Sequence, residues 1–209
     1  MKSYLIVGGR SDIGGILCRN LLDEGAAVTL LARDSSRLVE FSEDEVSKFI
    51  GDANDAELVK EAVLSAISAG NGRLEGVVHL VGSFAVRPPH AMSPESFEEV
   101  IKTNLSSAFV TLSVACKQML RNGGGRVVFT SSVAGSLGEA IHEAIGAAMG
   151  IIIAITPQLV PVAKAINPEI KNSNAGKAMG VSTWLRFRAK NLSVPRASQS
   201  PLRDQARIK

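Results

Sequence analysis

Val7-Gly8-Gly9-Arg10-Ser11-Asp12-Ile13-Gly14 is the stretch on which the reading of this chain turns. Before it, Leu5-Ile6-Val7 is a short apolar run of the kind that forms a fully buried strand. After it, Ile13, Leu17 and Leu21 recur at helical spacing until Gly25. In a strand, glycine-rich turn and helix in that order, backbone N–H groups and a helix dipole converge on one point, which suits a pyrophosphate. Glycine lets the ligand approach the backbone. Gly8, Arg10, Ser11, Ile13 and Gly14 are therefore candidate cofactor-binding residues. A tight turn without a ligand is the alternative that the glycines alone leave open.

The same alternation continues outward. Ala27–Ala32 reads as a second buried strand, Val46–Ile50 as a weaker third, Gly76–Val81 as a fourth and Arg126–Thr130 as a fifth. Between them, Asn54 with Glu57 three residues on resembles a capping box for a helix striped by Val59, Val63 and Ile67. Ser93-Pro94 supplies an N-cap and a first-turn proline for a long helix whose one face is Phe97, Ile101, Leu105 and Phe109. Strands alternating with amphipathic helices call for a doubly wound α/β fold, a parallel sheet covered on both faces. The second strand ends at Ala32, where NAD sites usually place an acid for the ribose hydroxyls. Arg33 follows instead, with Arg10 in the loop, and two cations suit a 2′-phosphate: NADP is favoured, and NAD stays open.

Composition sets the limits. The 209 residues, 45% hydrophobic and 21% charged, are enough for one domain with a proper core. Two cysteines, Cys18 and Cys116, exclude a disulfide scaffold and a zinc-ligand spacing, and point to a reducing, cytoplasmic setting. Residues 1–170 carry 14 Lys and Arg against 19 Asp and Glu, a balance of −5, whereas residues 171–209 carry 9 against Asp204 alone, a balance of +8. The basic character belongs to the tail. A dinucleotide-binding domain over 1–165 and a basic, poorly structured tail over 166–209 are expected. With no interleaved aromatics, the tail is expected to be solvated rather than bound to nucleic acid. The first residues do not form a signal peptide. From Ala144 to Ala163 there are 20 uncharged residues, but Pro157 and Pro161 favour a buried helix that ends early over a membrane span.

At this point residues 3–150 resemble the short-chain dehydrogenase/reductase family, whose fold is of the Rossmann type. The family's T-G-x-x-x-G-I-G matches Val7–Gly14, with Val7 for Thr and Asp12 for the middle Gly. Asp12 puts a carboxylate beside phosphates, which costs affinity unless its side chain turns outward. Asp52 corresponds to the acid that meets the adenine amino group, and Gly82 is what remains of the family's N-N-A-G segment, here His79-Leu80-Val81-Gly82. Asn104 corresponds to the active-site asparagine and Ser132 to the serine that orients the substrate carbonyl. The resemblance implies hydride transfer between a nicotinamide and a small carbonyl or alcohol substrate, with Ser132 and Asn104 as the surviving catalytic residues.

The same register places Ile145 at the proton-exchanging tyrosine and Met149 at the lysine four residues on. Neither side chain moves a proton. Tyr4, the one tyrosine, begins the first strand, at the far end of the sheet from a cofactor crevice. A nucleotide-binding pseudoenzyme of the same fold is therefore the alternative function. His142, three residues before Ile145, would share its face on a helix and is a candidate substitute acid. The family's sixth strand and its substrate loop have no counterpart in the reading of residues after 165. The C-terminal strands are thus expected to be missing or altered, and a homo-oligomer, though open to the chain, would have a disrupted interface helix.

Overall fold

The computed structural model describes residues 1–166 and 182–187. Five strands run parallel: β1 (Ser3–Val7), β2 (Ala27–Ala32), β3 (Val46–Ile50), β4 (Gly76–His79) and β5 (Gly125–Thr130). Their order is β3-β2-β1-β4-β5, so the chain leaves β1 in one direction and resumes at β4 in the other. The crevice where such a reversal occurs, at the carboxyl ends of the strands, is where open α/β sheets bind ligands. The helices are α1 (Asp12–Asp23), α2 (Ala56–Ala69), α3 (Pro94–Ile101), α4 (Ser107–Arg121), the short α5 (Val133–Leu137) and α6 (Glu143–Ile166).

Strand alternation sends successive side chains to opposite faces, and both faces are covered. Leu5 and Val7 of β1 join Val77, Val127 and Phe129 on one face under α2, α4 and α6. Ile6 joins Val28, Leu30, Cys18 of α1, Leu38 and Phe41 on the other. Each fully buried aliphatic of this kind contributes about 1.5–3 kcal/mol of transfer free energy, which is why central strands read as unbroken apolar runs.

Several local expectations are corrected. The cap of α2 is Asp55, whose carboxylate accepts from Glu57 N and Leu58 N; Asn54 is bound instead to Asp52. On α1 the buried positions are Gly14 and Cys18, while Ile13 is exposed. The long helix expected after Ser93-Pro94 is two helices joined by a π-helical turn, Lys102–Ser106. Its buried face carries Val100, Asn104, Ala108, Thr111 and Ala115, and Phe97 and Phe109 face outward. Large apolar residues marked the wrong face because small residues are what allow a helix to lie close against a sheet.

Two corrections concern the C-terminal part. Helix α6 does not stop at Pro157 and Pro161 but continues to Ile166; each proline removes one N–H from the ladder, and the helix resumes beyond it. No helix among the described residues is long and apolar enough to cross a membrane. A sixth strand, β6 (Ser182–Phe187), pairs with β5 in antiparallel register, Gly125 opposite Phe187 and Thr130 opposite Ser182. It falls in the stretch expected to hold little packed structure. Six residues containing Thr, Trp and Phe suit a strand, but a high local density of basic residues obscures them. The altered C-terminal strand thus takes the form of one antiparallel neighbour. The remainder of the basic tail lies outside the described residues.

Candidate functional site

A cavity of about 540 Å³ opens at the carboxyl ends of β1, β2 and β4. Gly8 forms its floor with φ +89°, a left-handed conformation that L side chains rarely adopt, and a Cβ there would lie 2.9 Å from the Leu80 carbonyl carbon and Val81 N. Gly14 is equally constrained, since its Cβ would meet Gly9 O at 2.9 Å. The turn therefore requires glycine at both ends. Ser11 caps α1: its hydroxyl accepts from Gly14 N at 3.0 Å and donates to Gly8 O at 3.0 Å. The first-turn N–H groups of Asp12 and Ile13 have no acceptor among the described residues and are free for an anion. Ile13 offers only its backbone there, its side chain being exposed and outside the cavity.

The cavity's charges come from four elements. Arg10 and Arg33 line it as expected, joined by Arg37 and Lys102, which the sequence reading missed. Arg37 lies four residues beyond Arg33 and Lys102 two before Asn104, spacings that were available as signals. Asp12 also lines the cavity; its side chain is 85% exposed and pairs with Arg37. Arg10 Nε lies 3.3 Å from the Asp34 carboxylate, which Ser36 holds through its N–H and hydroxyl. Those bonds and the neighbouring arginines keep Asp34 ionised below the usual carboxylate range. Arg33 has no ion-pair partner among the described residues.

Asp52 and Gly82 also line the cavity. Asp52 Oδ1 accepts from Asn54 N at 2.8 Å and Asn54 Nδ2 at 3.0 Å, and these bonds, with Lys102 and Arg33 nearby, hold its pKa down. Oδ2 is left for a ligand. Asn104 is wholly buried in the π-helical turn and has its amide satisfied: Oδ1 accepts from Ser83 N at 3.0 Å, and Nδ2 donates to Ser83 Oγ at 2.9 Å and Val100 O at 2.8 Å. It fastens the loop after β4 to the helix rather than presenting its side chain to the cavity. The turn itself arises because Ser107 N reaches back five residues to Lys102 O.

Ser132 stands after β5, half-buried, its hydroxyl accepting from Ala134 N at 3.3 Å as the cap of α5. Neither Ser132 nor Asn104 lines the cavity. Ile145 and Met149 are 3% and 9% exposed and belong to the apolar core. Gly135 lets α5 and α6 meet, since a Cβ there would sit 2.7 Å from Gly150 N. Tyr4 lies beside Gly76 at the starts of β1 and β4, the end of the sheet away from the cavity.

The comparisons with known proteins agree with this geometry. The model of the short chain dehydrogenase family matches residues 2–164. The chain belongs to that family. An uncharacterized oxidoreductase of Mycobacterium tuberculosis is 35% identical over 150 residues, 66% of this chain and 53% of its own length. An acetoacetyl-CoA reductase of Acinetobacter is 30% identical over 166 residues, 76% of this chain and 66% of its own. Among solved structures, levodione reductase aligns with a TM-score of 0.70 at 26% identity, covering 78% of this chain and 67% of that one. The chain spans about half to two thirds of the length of these curated relatives. Short-chain dehydrogenases generally bind NAD(P), and the crevice at β1, β2 and β4 lies where open α/β sheets bind ligands.

A buried pair near the crevice was missed from sequence. His79, at the end of β4, is 1% exposed; its Nε2 donates to Ser107 Oγ at 3.1 Å, and Ser107 donates onward to Thr103 O at 2.6 Å. Because that hydroxyl's proton is given to Thr103, the histidine must be the Nε2–H tautomer. Burial pushes its pKa down to about 4, so it is neutral across the physiological range.

Proposed function

We propose that this short-chain dehydrogenase binds NADP(H) in the β1–β4 crevice and acts as an oxidoreductase on a small carbonyl or alcohol substrate, in the cytoplasm. The observation that carries the reading is the glycine cradle: Gly8 and Gly14 hold space that a Cβ would fill, directly under the unpaired N–H groups of Asp12 and Ile13. Arg33, without an ion-pair partner among the described residues, and Arg10 beside it support the 2′-phosphate and hence NADP over NAD. Asp52 Oδ2 would accept from the adenine amino group, and Gly82 lets the loop after β4 approach the ligand. When bound, the nicotinamide supplies a hydride to the carbonyl carbon. Ser132 would orient the carbonyl oxygen, and Asn104 holds the Gly82-Ser83 loop that forms the crevice wall.

The second reading, a nucleotide-binding pseudoenzyme, is favoured by one observation: the two positions for proton exchange are apolar and buried. General acid–base catalysis contributes about 10² to 10⁴ in rate, so its loss alone would account for a protein that binds and does not turn over. A fluorescence titration with NADPH and NADH tests the common ground. Saturable binding is expected, tighter for NADPH, with Arg33→Ala removing the difference; no saturation by millimolar nucleotide overturns both readings. NADPH oxidation over a panel of ketones then separates them, since turnover abolished by Ser132→Ala supports the enzyme.

A further inference from the structure

His142 is not on α6 but is the residue just before it: its carbonyl accepts from Gly146 N at 2.8 Å, and the helix begins at Glu143. One turn on, Gly146 lies against Ala134, where a Cβ would meet Ala134 O at 3.1 Å. Ala134 is the residue that Ser132 caps. The imidazole is thereby tied through backbone packing to the segment that carries Ser132. Across from it, on the loop that follows β4 and Gly82, the Phe84 ring lies 5.3 Å away at 57°, and Arg87 N donates to Ile141 O at 2.9 Å. His142 therefore stands where the loops leaving β4 and β5 meet, at the carboxyl end of the sheet, where open α/β folds place the reacting parts of their ligands.

The ring is oriented. A carbonyl can only accept, so the 2.9 Å contact between Nδ1 and Ala140 O makes Nδ1 the donor and leaves Nε2 as the exchangeable nitrogen. Glu139 Oε2 lies 4.0 Å from the same Nδ1. Glu143 is turned away to accept from Ile141 N at 3.3 Å, and Arg87 meets this segment through its backbone. Phe84, 75% exposed, Leu137, 82%, and Ile141, 42%, leave apolar surface around this point. That surface suits the body of an organic ketone better than an ionic substrate.

We propose that His142 Nε2 supplies the proton to the carbonyl oxygen during reduction. The inference rests on the oxidoreductase reading above. The step balances: hydride adds to the carbonyl carbon as the C=O π bond breaks, the oxygen takes the Nε2 proton, and the imidazolium becomes the neutral Nδ1–H imidazole. Solvent returns the proton. In the oxidation direction the neutral imidazole takes it from the alcohol.

The first test needs no turnover. 2-Bromoacetophenone, a ketone whose bromomethyl carbon forms a bond to a nearby nucleophile as bromide leaves, is given to the full chain with NADP at neutral pH and mapped by mass spectrometry. Labelling of His142 at least tenfold faster than exposed His90, slowed by a non-reactive acetophenone and unchanged in rate by His90→Gln, is expected. Burial pushes the thiols of Cys18 and Cys116 to about 11 and about 12, so neither competes as a thiolate. Labelling of His142 no faster than His90, in a preparation that saturates with NADPH, overturns the inference and leaves the binding reading intact. Failure to bind NADPH removes both. The second test reads the kinetics of ketone reduction. His142→Gln should lower kcat about 100-fold or more with KM within threefold. An unchanged kcat in the variant, or saturable NADPH binding with no turnover in the unaltered chain, also overturns it.

Discussion

The crevice at β1 and the face where β5 meets α6 solve different problems with different materials. The crevice is built of backbone: glycines at φ values and clearances that exclude a side chain, and helix N–H groups left unpaired. The β5–α6 face is built of side chains, Ile145, Ala148, Met149 and Ile152, all turned into the core. Phosphate binding survives changes of side chain so long as the turn keeps its geometry. Proton exchange depends on the chemical identity of one or two side chains, and apolar ones cannot perform it. A chain can thus retain the first function without the second.

The comparison breaks most directly at Gly8. Gly8→Ala must hold a left-handed residue, about 1–2 kcal/mol, against backbone at 2.9 Å, so a loss of about 3 kcal/mol in stability and of saturable NADPH binding is expected, read by denaturant midpoint and fluorescence. If the variant binds normally, the glycine is not what shapes the crevice. Acid acts next. The native His79 pKa of about 4 lies below the ordinary 6.5, so the unfolded chain takes up a proton that the native one does not. Stability from this group is full above pH 6.5 and falls by about 3 kcal/mol as the pH drops to 4, a slope that His79→Asn should remove from denaturation curves.

Smaller effects sharpen the contrast. Ile145→Tyr overpacks a site that is 3% exposed, and a loss of about 1–3 kcal/mol with NADPH affinity unchanged within twofold is expected. A large change in affinity would show that the two regions are coupled rather than separable. Thr111 Oγ1 is buried in α4 without a hydrogen-bond partner among the described residues. Thr111→Val should therefore raise stability by about 1 kcal/mol in chemical denaturation, since it removes a desolvated hydroxyl at constant shape.

Much of this was written in local sequence. The five parallel strands, the cradle of Gly8 and Gly14, and the positions of Arg10, Arg33, Asp52 and Gly82 all follow from short patterns whose meaning is set by neighbours in the chain. What the pattern misjudged depends on partners far away. The Phe97–Phe109 stripe could not reveal that the helix would present its small residues to the sheet. Asn104 and Ser132 could be matched to a motif, but not assigned the hydrogen bonds that make one a fastener of the Ser83 loop and the other a helix cap.

The sequence by itself determined the order of elements and the backbone conformations, because glycine, proline and apolar period act within a few residues. Only the tertiary structure decided which charges stand free and which are paired. It paired Asp12 with Arg37, left Arg33 open to the crevice, buried His79 against Ser107, and set His142 between the loops that leave β4 and β5. Those outcomes depend on distances between residues remote along the chain, and distance sets electrostatic and hydrogen-bond energies.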